Sequence, residues 1–272
     1  MKSDILVYGC ARFIGSNICN YFLQHTKFTV AGVDDLKSGH LENLQPALSS
    51  KSRFSFLPVS FVDLDITNKV LSLVKAPIAI LDFSNYIPQN AMEFLEVLQH
   101  NATTRVIVIL SSNNFSSHDK FKQKINDINY RLGDMGIVLL EPCEVYGPRQ
   151  SINDGLAALI FSTLTQSENK LDLSDTKTSW IYVKDLFHNI LNCFDNDLVP
   201  AGAYALSTDV SASYQDIFNF MRSLVLGNRI VLDKVTVDNF NAQTINAIHH
   251  FDLESSIEHT LCWYADNKWA WR

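Results

Sequence analysis

The sequence of 272 residues predicts a doubly wound parallel α/β sheet with a smaller C-terminal α/β lobe. Three observations carry this. Short strand-like runs alternate with amphipathic stretches through the first half of the chain. The runs are continuously apolar rather than alternating, as in strands covered on both faces. The first run ends in a loop bearing Gly9 and Gly15, and the loop opens directly into a helical stretch.

DILVYG begins the sheet, and NICNYFLQH follows with Ile18, Tyr21 and Phe22 at helical spacing. FTVAGVDD is a second strand ending in two acids, and FSFLPVSFVDLD reads as a third. NKVLSLVK is a short helix, APIAILDFS the next strand, and QNAMEFLEVLQH the helix after it. RVIVILSS, the helix DKFKQKINDINYRLGDMG and the strand GIVLLEP complete the alternation. After VYGPRQ the pattern loosens. NDGLAALIFSTLTQ, KDLFHNILNCF, YQDIFNFMRSLV and LESSIEHTLCWYADN read as helices, and SWIYV and GAYALS as strands. The expected organisation is a sheet domain over residues 1–150 and a smaller lobe over 151–272, interleaved with the first.

With 47% hydrophobic and 19% charged residues the composition is that of a globular protein. A formal net charge of −7 and the lack of any Lys/Arg cluster exclude nucleic acid and anionic membrane surfaces as expected partners. No apolar stretch approaches the roughly 18–20 residues that span a bilayer. The first strand starts too early to leave room for a cleavable leader. The cysteines, Cys10, Cys19, Cys143, Cys193 and Cys262, form no C-x-x-C pair, and their odd number does not suit a disulfide framework. The expectation is a cytoplasmic protein with buried, reduced thiols and no metal centre.

The stretch LVYGCARFIGSN has the outline of a phosphate-cradling loop. Gly9 suits the tight turn and Gly15 the close packing of helix on strand. Arg12 stands where a middle glycine would let the backbone approach pyrophosphate. A side chain there either blocks the phosphate or swings aside and pairs with it. The second strand ends at Asp34, 19 residues after Gly15. An acid at that place binds both hydroxyls of an adenine ribose and favours NAD over its 2′-phosphorylated relative. The pair Asp34-Asp35 also suits a turn or a cap for LKSGHLENL.

The stretch from ILVYGCARFIGSN to VDDLKSGHLENL resembles the opening of the extended short-chain dehydrogenases/reductases. More narrowly, it is similar to the NAD-dependent epimerase/dehydratase family, with its T-G-G-A-G-F-I-G-S and V-D-N-L-S-x-G-x-x-x-N-L segments. LLEPCEVYGPRQ is similar to L-R-P-x-N-V-Y-G-P-R-Q, and SWIYVKDL to the F-I-Y-V-x-D-V portion of R-D-F-I-Y-V-x-D-V. The resemblance implies a Rossmann-like fold and NAD as cofactor. Gly9, Arg12, Phe13, Ile14 and Gly15 would lie in the cofactor loop, Asp34 at the ribose, and Asp65 and Ile66 beside the adenine. It also implies a nucleotide or nucleotide sugar as small-molecule partner, and a homodimer through a four-helix bundle built from NAMEFLEVLQH and DKFKQKINDINYRLGDMG.

The family's catalytic pattern is a Ser/Thr with Y-x-x-x-K. Carried over, it falls on Asn113, His118 and Lys122, with Lys122 also at the nicotinamide ribose. A histidine four residues before a lysine is a proton-transfer pair in principle, and it is also an ordinary polar helix start. The R-D-F arginine falls on Thr178, the later phosphate arginine is missing around His249 and His250, and the H-L-A-A loop reads DFSN from Asp82 to Asn85. Three readings follow. One is a nucleotide-sugar epimerase, dehydratase or reductase with a remodelled site. Another is a non-catalytic family member serving as a nucleotide-binding, regulatory or scaffold subunit. The third is a fold that has lost its dinucleotide, which follows if Arg12 closes the pocket.

Overall fold

A computed structural model describes residues 2–60, 64–100, 103–110, 121–126, 136–167, 173–195, 197–236 and 244–271. The chain forms two compact units. The first holds Met1–Glu141 and Ile190–Tyr204; the second holds Pro142–Asn189 and Ala205–Arg272.

The first stretch of chain alternates strand and helix. It runs β1 (Ile5–Tyr8), α1 (Phe13–His25), β2 (Val30–Val33), α2 (Gln45–Leu48), β3 (Phe54–Leu57), α3 (Leu64–Leu73), β4 (Ile78–Asp82) and α4 (Ala91–His100). Next come β5 (Arg105–Ile109), a helix over residues 121–126 (α5) and β6 (Gly136–Pro142). The remainder comprises β7 (Glu144–Tyr146), α6 (Gly155–Thr165), β8 (Thr178–Tyr182), α7 (Val183–Asn192), β9 (Gly202–Ser207) and β10 (Val210–Ala212). It closes with α8 (Tyr214–Val225), β11 (Val235–Thr236), β12 (Thr244–Asn246) and α9 (Leu253–Asp266).

Eight strands make one sheet in the order β12-β9-β6-β5-β4-β1-β2-β3. β1 pairs in parallel with β2 on one side and β4 on the other, Tyr8 standing opposite Val33 and Leu81. β5 pairs in parallel with β4 and β6, so RVIVI lies in the same sheet as the first two strands. The strand order reverses at β1, and open sheets of this kind bind ligands at the carboxyl ends beside that reversal.

The continuous apolar runs explain the layering. Every residue of β1, β2 and β5 is buried, as strands with helices on both faces require. α1 buries Ile18 and Phe22 against the sheet, and Phe22 stacks on Phe194 at 5.7 Å between ring centroids. On the other face Tyr8 meets Phe83 edge-on at 5.6 Å. In the second unit β7 and β8 are parallel, β10 and β11 are added antiparallel, and a Ser213–Asp216 capping box starts α8.

Two expectations are corrected. The third strand does not run through FSFLPVSFVDLD: it stops at Leu57, because Pro58 has no N–H to continue the ladder. The thiols are not all buried, since Cys143 is partly exposed and Cys262, on α9, is exposed. None of the five cysteines forms a disulfide.

Gly15 is where α1 leaves the sheet. A Cβ there would lie 2.2 Å from the Gly9 carbonyl oxygen and 2.7 Å from its carbon, both backbone atoms. Gly15→Ala is therefore expected to destabilise the protein by about 3 kcal/mol through overpacking. Urea unfolding at equilibrium measures this, and a loss under about 0.5 kcal/mol would contradict the packing described.

Candidate active site at the first strand–helix turn

The turn after β1 is shaped by its glycines and held by Asp34. Gly9 has φ +76°, a left-handed conformation that glycine adopts without strain. Asp34 directly follows β2 and is only 1% exposed. One carboxylate oxygen accepts the Ala11 N–H at 3.0 Å, and the other accepts the Leu36 N–H at 2.8 Å. Asn43 donates to the Ala11 carbonyl at 2.8 Å. Burial raises the pKa of Asp34, against the pull of the two amides. The sequence marks Asp34 as the acid beside the loop; in the folded chain both of its oxygens clamp backbone.

The centre of the site is the pair Arg12 and Asp82. Arg12 is the N-cap residue of α1, and its side chain makes no capping bond. The acceptor that the helix needs comes from Asp82, at the carboxyl end of the neighbouring β4. One Asp82 oxygen accepts the Gly15 N–H at 3.1 Å. The other accepts from the Ser84 N–H at 3.1 Å and the Ser84 hydroxyl at 2.6 Å. Arg12, 3% exposed, donates to the Asp82 main-chain carbonyl at 3.3 Å and to the Tyr86 hydroxyl at 3.0 Å. Its guanidinium lies 4.8 Å from the Tyr86 ring centroid and 5.5 Å from that of Tyr8.

The electrostatics match the contacts. Burial works against the charge on Arg12, but Asp82, Tyr86 and Tyr8 outweigh it and hold its pKa above the ordinary value. Burial likewise pushes the Asp82 carboxyl up, with Ser84, the Arg12 charge and the Gly15 N–H opposing. Tyr8 is pushed upward by burial and by Tyr86.

A dinucleotide needs a turn with close glycines and a helix N-terminus free to meet pyrophosphate. The turn fits. The N-terminus of α1 does not fit as it stands, because the Gly15 N–H carries the Asp82 carboxylate and the Arg12 side chain fills the space of the middle glycine.

The other predicted residues are distributed as follows. Phe13 is partly buried and Ile14 fully buried in the first turn of α1. Asp65 and Ile66 are exposed in the first turn of α3. Lys122, on α5, forms an ion pair with Glu141 near the end of β6. Glu141 stands where the resemblance has an arginine. Asn113 and His118 lie outside the described residues.

In the second unit, Thr178 begins β8. His249 lies between two carboxylates, Nδ1 at 3.8 Å from Asp185 and Nε2 at 3.4 Å from Asp209, so its ring is committed to acids. Among the described residues no group of three acidic, histidine or cysteine side chains is placed to hold a metal ion. No helix among them is long and apolar enough to cross a membrane.

Sequence reasoning named the DFSN loop as a departure but assigned no role to Asp82, Ser84 or Tyr86. The available signal was an arginine inside an apolar turn, which demands a nearby anion, and an acid ending another strand of the same sheet.

Residues 5–123 match the model of the NAD dependent epimerase/dehydratase family. No curated protein matches the sequence. Among solved structures, the chain is similar to a UDP-glucose 4-epimerase of Thermotoga maritima with UDP-glucose. The identity is 16%, with 98% of this chain and 100% of that one covered and a TM-score of 0.73. It is also similar to a UDP-N-acetylglucosamine 4-epimerase of Methanobrevibacter ruminantium in complex with UDP-N-acetylmuramic acid, at 18% identity, 98% and 100% coverage and a TM-score of 0.74. A UDP-glucuronic acid 4-epimerase of Bacillus cereus, in complex with UDP-glucuronic acid and NAD, gives 19% identity, 98% and 99% coverage and a TM-score of 0.74. At these identities the likeness is one of fold.

The carboxylates facing His249 yield a pH dependence. The Asp185 contact, then the charges of Asp185 and Asp209, hold the His249 pKa above 6.5, against burial. The folded chain binds this proton more tightly than the unfolded chain does. Its stabilisation is therefore complete below pH 6.5 and is lost as the pH rises through the higher folded value. The expected result is an unfolding free energy whose fall over that window is smaller in His249→Gln than in wild type. An identical fall in both would contradict the assignment.

Proposed function

We propose, from the premise that residues 5–123 carry the NAD-dependent epimerase/dehydratase family domain, that this protein acts on nucleotide sugars. The reaction would be an NAD-dependent epimerisation, dehydration or reduction in a remodelled site. The observation that carries the reading is the family match over the strand–loop–helix unit, joined to a fold shared along 98% of the chain with UDP-sugar epimerases. NAD is the dinucleotide of the reading because Asp34, a carboxylate directly after β2, would repel a 2′-phosphate.

In this reading the chain's own residues divide the work. Gly9 and Gly15 shape the turn, Phe13 and Ile14 seat the helix that follows it, and Asp65 and Ile66 flank the adenine. Asn113 and His118 take the positions of the hydroxyl and the phenol, the imidazole being the group that titrates near neutrality. Lys122 supplies a cation whose charge is balanced by Glu141. With Thr178 in place of a phosphate-binding arginine, the substrate diphosphate would be held without a forked cation from β8. The protein would work in the cytoplasm as a homodimer through α4 and the segment containing α5. Light scattering is expected to give twice the chain mass, and a monomer at micromolar concentration would contradict the dimer.

The reading is tested by incubating the protein with NAD and a panel of UDP-hexoses, UDP-hexuronic acids and UDP-N-acetylhexosamines, with products separated by chromatography. Conversion of at least one sugar, lost in His118→Phe, is the expected result, together with tighter binding of NAD than of NADP. A folded protein that converts none of them and binds no nucleotide sugar would refute it.

A further inference from the structure

The first four N–H groups of a helix have no partners inside it, and an anion at that end is stabilised by the N–H groups and by the helix dipole. In α1 the anion comes from the chain itself. The Asp82 carboxylate, 67 positions from Gly15 in sequence, takes the Gly15 N–H at 3.1 Å. Ser84 fixes its second oxygen with two donors, at 3.1 and 2.6 Å. Arg12 lies beside it, almost fully buried, and its Nε has no hydrogen-bond partner among the described residues. A buried guanidinium with an unused donor is costly, and a further anionic oxygen would satisfy it.

Resting on the reading that this loop takes a dinucleotide, we propose that Asp82 is an internal stand-in for cofactor pyrophosphate. A dinucleotide then binds only by displacing the Asp82 carboxylate from the Gly15 N–H. Two anions cannot share this one donor without repelling each other, so the two occupants exclude one another. Arg12 serves both states: it lies against Asp82 in the free protein and has Nε to offer an incoming phosphate. The affinity for a dinucleotide is therefore set by how firmly Asp82 is held, and Ser84 is the residue that holds it.

The test is calorimetric titration of wild type, Asp82→Asn and Ser84→Ala with NAD and, separately, with inorganic pyrophosphate, with folding checked by thermal melts. In Asp82→Asn the charge is gone, and the amide cannot accept from both Gly15 and Ser84. Loss of a charged hydrogen bond that competes with the ligand is expected to tighten both ligands by about tenfold. Ser84→Ala should tighten them less. Tighter pyrophosphate binding with no NAD binding in any variant would uphold the displacement and remove the dinucleotide reading. Equal NAD affinity in wild type and folded Asp82→Asn would overturn the displacement while leaving the cofactor reading intact. Should Asp82→Asn fail to fold, Ser84→Ala decides alone, and unchanged affinity for both ligands would overturn the proposal. Absence of binding by either ligand to any folded variant would overturn it as well.

Discussion

The site is organised around one hydrogen bond, from the Gly15 N–H to the carboxylate of Asp82. It caps α1 with a charge borne by a different strand, and so ties the first helix to the carboxyl end of β4. A charged hydrogen bond of this kind contributes about 1.5–3 kcal/mol, comparable to a good helix cap. The bond is available because β1 and β4 are adjacent and parallel, with Tyr8 beside Leu81. The register brings the residue after Leu81 level with the turn that follows Tyr8.

Other contacts support the same turn. Arg12 is tolerated in a nearly sealed position because the Asp82 carbonyl and charge, the Tyr86 hydroxyl and two aromatic rings offset its burial. Asp34 holds the same loop from the β2 side through Ala11 and Leu36. The turn is thus clamped by carboxylates from both neighbouring strands, whereas a loop waiting for phosphate would leave its N–H groups open. The glycines still impose the geometry: no Cβ fits at Gly15 against Gly9. The shape of a dinucleotide turn persists, with its anion supplied from within the chain.

Much of this was legible in the sequence. The alternation of apolar runs and amphipathic stretches predicts the parallel sheet because strands buried on both faces leave no polar alternation. Gly9, Gly15 and Asp34 are identifiable because their spacing around one strand–loop–helix unit is local. The boundary of β3 is marked in the sequence by Pro58, which has no N–H for the ladder. Asp82 was not legible as a partner of Gly15, since its position depends on which strands become neighbours. The direction of the Asp34 oxygens, onto backbone, was equally hidden, because periodicity fixes a residue's place and not its rotamer. Lys122 and Glu141 meet through the placing of α5 and β6, which no spacing in the sequence encodes.

The central claim is that the free protein already carries an anion at the N-terminus of α1. Amide hydrogen exchange of Gly15, followed by NMR in the absence of any nucleotide, reads this directly. A protected Gly15 amide in wild type and faster exchange in a folded Asp82→Asn variant are expected. A Gly15 amide that exchanges in wild type as fast as an unbonded, solvent-exposed one would contradict it.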